Sequence, residues 1–369
     1  MPGDEETFGS RFHTERNHSK IAHKNEERKT LIGIFATFQV FPLRTPRIVV
    51  VGSYATGLTM KVERIPGAGE TLLGSGYRVD FGGKGSNQAV GCARLGAHVD
   101  FVARIGKDPF GDMALDLYRQ EGIDTRFVSR SAEAPTGVGF IVVEAGTGQN
   151  SIAIDPGANE LLTPADVSQA NVVLNSASVV LTQLEIPVAA AESALARGRS
   201  VGAVTILNPA PVRPLAPSVL SLVDVLTPNE TEARVLAGLS PHAAAEPEVV
   251  AEVLLRLGVK HVVMTLGEKG ALLISGKHHQ HFSAISVQAA DTTGAGDAFN
   301  AGLAVALAHG DRMEDAVRFA IITGAMAVTK EGVVPSLPRC DEVRAFCQQH
   351  KIEIPSWLGR ISSGPKHQR

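Results

Sequence analysis

Short apolar runs rich in β-branched residues recur along most of the chain, and segments with helical spacing separate them. The first run, Ile48 to Val51, is typical of a strand that is buried on both faces. Further runs cover residues 178–182, 201–207, 223–226, 262–265 and 271–274. Helical patterns cover residues 86–95, 109–120, 188–196, 230–237, 248–257, 295–308 and 314–329. This alternation predicts a doubly wound α/β fold, with a mostly parallel sheet and helices on both faces.

Two segments depart from this rhythm, at about 62–82 and 136–154. Apolar and polar residues alternate in Tyr77-Arg-Val-Asp-Phe81, and residues 136–154 are typical of two strands joined at Gly146-Thr-Gly148. Alternation indicates a sheet with one face in solvent. We therefore expect a small β lid beside the main sheet, whose free strand edges favour a homodimer.

The two ends of the chain differ from its middle. We expect an N-terminal extension over residues 1–46, one working domain over 47–355 and a tail over 356–369. The apolar run 31–41 has eleven residues, too few to span a membrane, and no Ala-x-Ala-like cleavage site follows it. The three cysteines form no CxxC pair, which favours a reducing compartment. We therefore expect a cytoplasmic protein.

Composition excludes one class of function and draws attention to the glycines. The chain has 35 Lys+Arg against 38 Asp+Glu, which argues against a nucleic-acid binder that relies on a basic face. It has 37 glycines in 369 residues, which is about 10% against an average of about 7%. Several of these glycines lie in two loops, 82–85 and 294–296, and each loop precedes a helical pattern.

The segment Asp291-Thr-Thr-Gly-Ala-Gly-Asp297 follows a strand-like stretch, 282–288, and opens a helical pattern. Gly294 and Gly296 leave the first amides of that helix uncovered, which suits an anion. Asp297 lies in the first turn, where the helix dipole favours a carboxylate whether or not it is catalytic. Its position alone leaves both roles open.

The segment Phe81-Gly-Gly-Lys-Gly-Ser-Asn-Gln-Ala89 joins the first lid segment to a helix. A Walker A loop would need glycine where Arg78 stands, and the segment does not fit GxGxxG either. Its adjacent glycines suit a hinge, and Asn87 suits either a sugar hydroxyl or a helix start. A dehydrogenase would need GxGxxG after the first strand, and Gly52-Ser-Tyr-Ala-Thr-Gly57 lacks that spacing.

Two further motifs are weak when taken alone. In Thr227-Pro-Asn-Glu-Thr-Glu232 the spacing of Asn229 and Glu232 is that of a capping box. Thr265-Leu-Gly-Glu-Lys-Gly270 is a turn between two apolar runs.

The three histidines at 278, 279 and 281 fall in a polar connection, where we expect a solvated loop rather than a metal site.

Taken in order, these motifs resemble those of the ribokinase family, within the wider phosphofructokinase-B group of sugar kinases. The resemblance runs from about residue 47 to 355 and includes Leu184-Glu185, Asn208-Pro-Ala-Pro211 and Ala327-Val-Thr-Lys-Glu-Gly332. It implies a kinase that uses ATP to phosphorylate the primary hydroxyl of a pentose, D-ribose before others. It also implies Mg²⁺ and a monovalent activator, K⁺.

The resemblance assigns a role to each motif. It implies that Asp297 is the catalytic base and that the amides of Gly294, Ala295 and Gly296 form an anion hole. The implied sugar side consists of Gly83, Lys84, Gly85, Ser86, Asn87 and Glu185. The implied nucleotide side consists of Asn229, Thr265, Leu266, Gly267, Glu268, Lys269, Gly270 and Gly296, with Glu232 organising Mg²⁺ and phosphate. The implied cation loop consists of Asp291, Thr293, Ala327, Lys330, Gly332 and Ser336.

One position departs from the family pattern. Ribokinases usually carry Asn-x-Asp after the first strand, and this chain has Ala55 and Gly57 at those positions. Losing a hydrogen bond to a charged group costs about 1.5–3 kcal/mol, so ribose binding weakens about tenfold or more unless Thr56 or Asp80 substitutes. Two alternatives stay open: a kinase for another pentose, a deoxy sugar or a nucleoside, and a non-catalytic sugar-binding protein on the same fold.

Overall fold

The computed structural model describes residues 46–361. The expected extension, except for residue 46, and the last eight residues of the expected tail lie outside this range. The strands are β1 (Arg47–Val51), β2 (Ala55–Val62), β3 (Ser75–Gly82), β4 (His98–Gly106), β5 (Asp124–Ser131), β6 (Gly137–Glu144), β7 (Asn150–Asp155), β8 (Val179–Gln183), β9 (Val204–Asn208), β10 (Val225–Leu226), β11 (His261–Thr265), β12 (Ala271–Ser275) and β13 (His278–Phe282). The helices are α1 (Lys84–Arg94), α2 (Pro109–Glu121), α3 (Pro164–Gln169), α4 (Asn171–Leu174), α5 (Val188–Ser200), α6 (Pro217–Leu220), α7 (Glu230–Leu236), α8 (Pro247–Arg256), α9 (Ala295–Ala308), α10 (Met313–Ala327), α11 (Val333–Ser336) and α12 (Cys340–His350).

The main sheet has nine strands in the order β13-β12-β11-β10-β9-β8-β1-β4-β5. The strands from β5 to β11 are parallel, and β12 and β13 extend one edge in antiparallel fashion. Along β1, Ile48 and Val50 enter one apolar core with α1, α9 and α10, and Val49 and Val51 enter a second core with α5 and α8. Helices on both faces of a mostly parallel sheet confirm the predicted doubly wound fold.

A second sheet of four strands, β3-β2-β6-β7, forms the lid. The β6–β7 pair is antiparallel around the Gly146-Thr-Gly148 turn, as the sequence predicted. β2 was missed, so the lid begins at Ala55 rather than near 62. Its sequence ATGLTMKV does not alternate strictly, because its buried residues, Thr56, Thr59 and Val62, are three residues apart rather than two.

The two faces of the lid carry different side chains, and both include exposed apolar residues. One face, here called the outer face, carries Leu58, Met60, Tyr77, Val79 and Phe140. The opposite face, here called the inner face, carries Gly57, Thr59, Arg78, Asp80 and Ile141, together with Ile152 and Ile154 of β7. β3 packs against α11, and the Arg78 guanidinium interacts electrostatically with Asp291, so the inner face lies on the side of the loop that opens α9.

Elements that the sequence did not predict lie mainly toward the sheet edges. Charged residues interrupt β4 and β5, and Asp100 is fully buried in β4, where Arg47 and Arg126 lie 3.3 and 3.5 Å from its carboxylate. The three histidines lie on edge strand β13 rather than in a loop, and the described residues contain no cluster of metal-binding side chains. Of the expected strand 282–288, only Phe282 belongs to a strand, β13, and residues 283–288 form none.

The packed structure continues past residue 355, where the working domain was expected to end. Trp357 is 5% exposed and its ring stacks on His309 at 4.1 Å between centroids, and Leu358 is fully buried. The tail was therefore placed too early, since its first residues belong to the core.

Cys92 is buried in α1, as expected. Within residues 46–361, no helix is both long enough and apolar enough to cross a bilayer.

Candidate active site

The carboxyl ends of neighbouring parallel strands bring the polar residues of the motifs to one edge of the main sheet. Ser53 follows β1, Glu185 follows β8 and Asn208 ends β9. Asn229 follows β10 and pairs with Thr265, the last residue of β11. Ligands bind in open α/β sheets at this edge, because strand order reverses there and the loops leave a crevice.

Asp297 is the third residue of α9 and is only 6% exposed. Two side-chain amides from α1 hold its carboxylate. Asn87 Nδ2 donates to Oδ2 at 2.8 Å, and Gln88 Nε2 donates to Oδ1 at 2.9 Å. Each carboxylate oxygen has a further lone pair. A carboxylate fixed in this way is able to accept a proton from a hydroxyl placed against it.

A second row of amides, not predicted as part of the site, supports Gln88. Gln183 Nε2 donates to Gln88 Oε1 at 2.6 Å, and Gln88 Nε2 also donates to Asn208 Oδ1 at 3.1 Å. All three side chains are buried. Two features of the sequence could have indicated these residues. Gln183 and Asn208 are polar residues at the ends of apolar strands, and Gln88 lies in the Gly-rich motif.

Charges converge around Asp297. Burial raises its pKa, and the ammonium of Lys84 and the two amide donors oppose this only in part. For Lys84, neighbouring charges outweigh burial in setting the direction of the pKa shift. Burial lowers its pKa, but the carboxylates of Asp297, Glu185 and Glu232 outweigh that effect and raise it overall. Lys84 therefore stays charged, and an ammonium among carboxylates stabilises their ionised forms.

The glycines before and within α1 permit close backbone packing. Gly83 precedes the helix with φ 86°, and a Cβ there would lie 2.7 Å from Tyr54 Cα. A Cβ at Gly85 would lie 2.4 Å from the backbone nitrogen of Ser53. Both contacts are closer than a real Cβ tolerates, so these positions require glycine for α1 to pack against the end of β1.

The residues expected on the sugar side separate into two groups. The carboxylate Oε2 of Glu185 accepts from Ser53 Oγ at 2.6 Å and from the Lys84 backbone nitrogen at 2.8 Å, which joins β1, β8 and α1. Lys84, Glu185 and Asn87 all adjoin Asp297 or one another. Ser86 does not belong with them, because its side chain is fully buried and its amide donates to Ser53 O. Gly85 likewise serves packing.

The residues expected on the nucleotide side line one cavity of about 980 Å³. Among those lining it are Asn229, Thr265, Leu266, Gly267, Glu268, Lys269, Gly270, Ala295 and Gly296. The loop 283–289, which replaces the expected strand, supplies its apolar wall with Ile285 and Val287. The two Gly-rich segments, 265–270 and 294–296, therefore face the same space.

Glu232 lies beside this cavity in a capping box at the start of α7. Asn229 Oδ1 accepts from the Glu232 amide at 2.8 Å, and Glu232 Oε2 accepts from the Asn229 amide at 2.9 Å. The capping box that the spacing of Asn229 and Glu232 indicated is therefore present. Burial raises the pKa of Glu232, and the hydrogen bond from the Asn229 amide and the ammonium of Lys84 oppose this.

The start of α9 presents backbone amides to the cavity. Gly294 caps the helix with φ 83°, and a Cβ there would lie 2.6 Å from Val333 Cγ1. A Cβ at Gly296 would meet no atom within 4 Å, so the space above it is open. The first amides of a helix lack partners within the helix, and the dipole gives this end partial positive charge.

The expected cation loop falls in two adjoining segments, before α9 and after α10. Its residues are Asp291, Thr293, Ala327, Lys330, Gly332 and Ser336. Asp291 joins the segments, because its carboxylate accepts from the amides of Thr293 at 2.9 Å and Gly332 at 3.1 Å. Burial raises the pKa of Asp291, but these hydrogen bonds lower it overall. Lys330 points elsewhere, with its ammonium 2.6 Å from Glu342.

The first strand of the lid, β2, carries no polar side chain at positions 55 and 57, which are Ala and Gly. Thr56 does not replace them, because it is fully buried and its hydroxyl lies 3.2 Å from the Tyr54 hydroxyl, on the other side of β2. Asp80 pairs directly with Gly57 across the β2–β3 ladder. It therefore lies on the same face as a side chain at 57 would.

Comparison with known proteins agrees with this architecture. The pfkB family carbohydrate kinase profile matches residues 45–340. A ribokinase of Haemophilus influenzae is 37% identical over 301 residues, which cover 82% of this chain and 98% of that protein. A deoxyribokinase of Salmonella typhi is 33% identical over 300 residues, which cover 81% and 98%.

A solved structure agrees as well. The structure of Arabidopsis thaliana ribokinase complexed with ribose and ATP has a TM-score of 0.75 at 32% identity, covering 82% of this chain and 98% of that one. The profile match and the relatives extend over most of the chain and include both Gly-rich loops and the lid. The chain belongs to the pfkB family of carbohydrate kinases.

Proposed function

We propose that this protein transfers the γ-phosphoryl group of ATP to the primary hydroxyl of a pentose, and that D-ribose is converted to D-ribose 5-phosphate. The observation that carries the proposal is the buried carboxylate of Asp297, held by two amides where the sugar-side residues and the nucleotide cavity meet. The ribokinases named above support the choice of sugar.

Asp297 acts as general base in this proposal. It accepts the proton of the primary hydroxyl as the hydroxyl oxygen forms its bond to the γ-phosphorus of ATP. The bond from the γ-phosphorus to the bridging oxygen then breaks, and ADP leaves. Phosphoryl transfer depends mainly on positioning and on stabilising charge, so a fixed base next to the nucleotide cavity meets its requirements.

The amides of Gly294, Ala295 and Gly296 form the anion hole for the transferred group. Positive φ at Gly294 and open space above Gly296 support this role, since any side chain at either residue would strain or cover the helix end. Amide donors fixed before the reaction stabilise charge that develops on the equatorial oxygens. Lys84, which stays charged, adds a cation on the sugar side.

Mg²⁺ and K⁺ complete the proposal, and the residues present suit both ions. Mg²⁺ prefers oxygen ligands and is usually bound through substrate phosphates and one or two carboxylates, and Glu232 is the carboxylate beside the nucleotide cavity. Asp291, with its low pKa, supplies an anionic oxygen for K⁺. The ammonium of Lys330 is paired with Glu342 and does not oppose a cation. Bound Mg²⁺ would neutralise phosphate charge.

A second candidate is a kinase for another pentose, a deoxy sugar or a nucleoside. The absence of polar side chains at Ala55 and Gly57 favours it, as does the deoxyribokinase among the relatives. A non-catalytic sugar-binding protein is the third candidate, and the arrangement around Asp297 argues against it.

ADP release tests these candidates. The panel contains D-ribose, 2-deoxyribose, other pentoses, hexoses and nucleosides, each with ATP and Mg²⁺ in the presence and absence of K⁺. We expect D-ribose to give the highest kcat/KM and K⁺ to raise it. Higher kcat/KM with another sugar selects the second candidate. Sugar binding without ADP release from any member selects the third.

We also propose a homodimer that forms through the lid. Its outer face exposes 61% of Tyr77, 53% of Phe140 and 40% of Met60. An apolar patch on a sheet with free edges favours association with a second copy.

A further inference from the structure

Asp80 is a carboxylate on the inner face of the lid that the proposed mechanism does not yet use. Its nearest partners both approach Oδ2: the Thr59 hydroxyl at 3.4 Å and the Arg78 guanidinium at 3.3 Å. Oδ1 accepts no hydrogen bond from residues 46–361. The side chain is 36% exposed. Asp80 is therefore an acceptor with free capacity, held in place by a cation from its own strand.

The position of Asp80 relates it to the site. β3 ends at Gly82 and leads directly through Gly83 into Lys84, which interacts with Asp297. Asp80 therefore lies only four residues before Lys84, on the strand that leads into α1, and α1 carries Asn87 and Gln88, the two donors to Asp297.

The pairing of β2 with β3 makes residues 57 and 80 equivalent in space. Gly57 faces Asp80 directly, and a Cβ on Gly57 would lie 3.7 Å from Asp80 Cβ. Directly opposed residues of an antiparallel pair share one face of the sheet. A carboxylate on β3 at this level therefore reaches the space that a carboxylate on β2 would have reached.

We propose that Asp80 binds two neighbouring ring hydroxyls of the sugar, and so determines sugar specificity from β3 in place of a side chain at position 57. This inference rests on the proposed function. A carboxylate accepts hydrogen bonds from both hydroxyls of a vicinal diol, one on each oxygen. Arg78 pairs with Oδ2 of this carboxylate at 3.3 Å and so fixes the direction in which its oxygens point.

The test is a carboxylate exchange between the two strands. Asp80→Ala removes the acceptor, and Gly57→Asp combined with Asp80→Ala returns it from β2. Gly57 accepts the new side chain, because its φ is not positive and its nearest neighbours would lie at ordinary contact distance. Glu144→Ala, which removes a carboxylate at the far end of the lid opposite Val62, is the matched control.

We expect Asp80→Ala to raise the KM for D-ribose about tenfold or more, with kcat and the KM for ATP changed less than about threefold. The KM for 2-deoxyribose, which lacks one hydroxyl of the pair, rises less. The exchange variant recovers most of the lost affinity for D-ribose, and Glu144→Ala matches the wild type.

Three results overturn the inference. The first is an unchanged KM for D-ribose in Asp80→Ala. The second is an equal rise for D-ribose and 2-deoxyribose, which indicates a general effect on the lid. The third is an exchange variant no better than Asp80→Ala. A wild-type protein that phosphorylates no pentose overturns the proposed function, and the inference with it, so the two failures are distinct.

Discussion

At the scale of single residues, the environment of Asp297 combines the two opposing requirements of the base that we propose it to be. Burial favours the neutral carboxyl, which makes the carboxylate a stronger proton acceptor, while the amides of Asn87 and Gln88 and the ammonium of Lys84 favour the charged form. A base is efficient when its pKa lies between that of an ordinary surface carboxyl and the working pH. The same three neighbours fix the direction in which the carboxylate points.

The first prediction concerns the base itself. Asp297→Asn preserves the shape of the side chain but cannot accept the proton, so kcat falls by about 10²–10⁴ while the Kd for ATP stays within a few-fold. ADP release and nucleotide titration measure the two quantities. Asp116→Asn, on the exposed surface of α2, is the control and retains wild-type turnover. Turnover of Asp297→Asn within tenfold of the wild type removes Asp297 from this role.

The second prediction concerns pH. Because Asp297 acts when ionised and its pKa is raised, kcat/KM falls as pH drops through that pKa, above the range of an ordinary Asp. Gln88→Leu removes a donor that favours the carboxylate, so the acidic limb moves to higher pH by about one to two units. A pH–rate profile with saturating ATP measures the shift. A profile that is lower at every pH but not displaced shows only a structural role for Gln88.

How much of the site was predictable depends on the kind of residue. The resemblance assigned Asp297 and the Gly-rich loops their positions, because local motifs carry them, and the structure groups these residues at one edge of the sheet. Gln183 and Asn208 were not predicted as site residues, since a lone amide after an apolar strand is ambiguous until the partner from a distant helix is known. Ser86 shows the opposite case. It belongs to a motif and was predicted as a site residue, but its position on α1 directs its side chain into the core.

At the scale of elements, α1 and α9 bring their N-termini to the site, and each start depends on a glycine with positive φ. Gly83 also allows α1 to approach the Tyr54 backbone, and this approach brings Lys84, Asn87 and Gln88 into range of Asp297. The helix position and the chemistry of the base are thus set by the same close contact.

The third prediction follows from that contact. Gly83→Ala forces a side chain into a left-handed conformation, at about 1–2 kcal/mol, and against a backbone atom 2.7 Å away, so the free energy of unfolding falls by about 2 kcal/mol or more. Urea unfolding followed by circular dichroism measures it. Gly139→Ala, with no neighbour within 4 Å and no positive φ, is the control and stays within about 0.5 kcal/mol of the wild type. Equal midpoints for the two variants contradict the packing argument.

Elements were predictable where their burial is uniform. The central strands β1, β8 and β9 are apolar on both faces, so the sequence shows them as continuous runs. β4 and β5 were missed, because ion pairs at the sheet margin place Asp100, Arg126 and Arg130 within the strands. β2 was missed because its buried residues recur at every third position instead of every second. A local sequence pattern cannot show that a charged residue in a strand will be paired with a residue distant in sequence.

At the scale of the whole molecule, Asp297 on α9 and the nucleotide cavity lie at one edge of the main sheet, and the lid extends from the end of β1 at the same edge. The two sheets join through short connections, from β1 into β2 and from β3 into α1. A change on the lid therefore alters contacts to the sugar without displacing Asp297, which is anchored by α1 and by the ends of β8 and β9 through Gln88.

The fourth prediction is the oligomeric state. Light scattering after size exclusion gives twice the 38.8 kDa mass of one chain, because the outer face of the lid is apolar and exposed. Phe140→Glu places a charge in the middle of that face and shifts the mass toward one chain at the same concentration. Val172→Glu, an exposed apolar residue on α4 far from the lid, is the control and stays dimeric. A monomeric wild type contradicts the prediction.

The amide network around the base has a consequence for incomplete chains. Gln88 contacts Gln183, Asn208 and Asp297 across 95, 120 and 209 residues of sequence, and Asp297 is the last of the four to be synthesised. A nascent chain, or a proteolytic fragment, that ends between β13 and α9 contains every strand of both sheets but lacks Asp297, the proposed base. On the proposed function such fragments do not phosphorylate a sugar, so phosphotransfer comes only from chains that extend through α9.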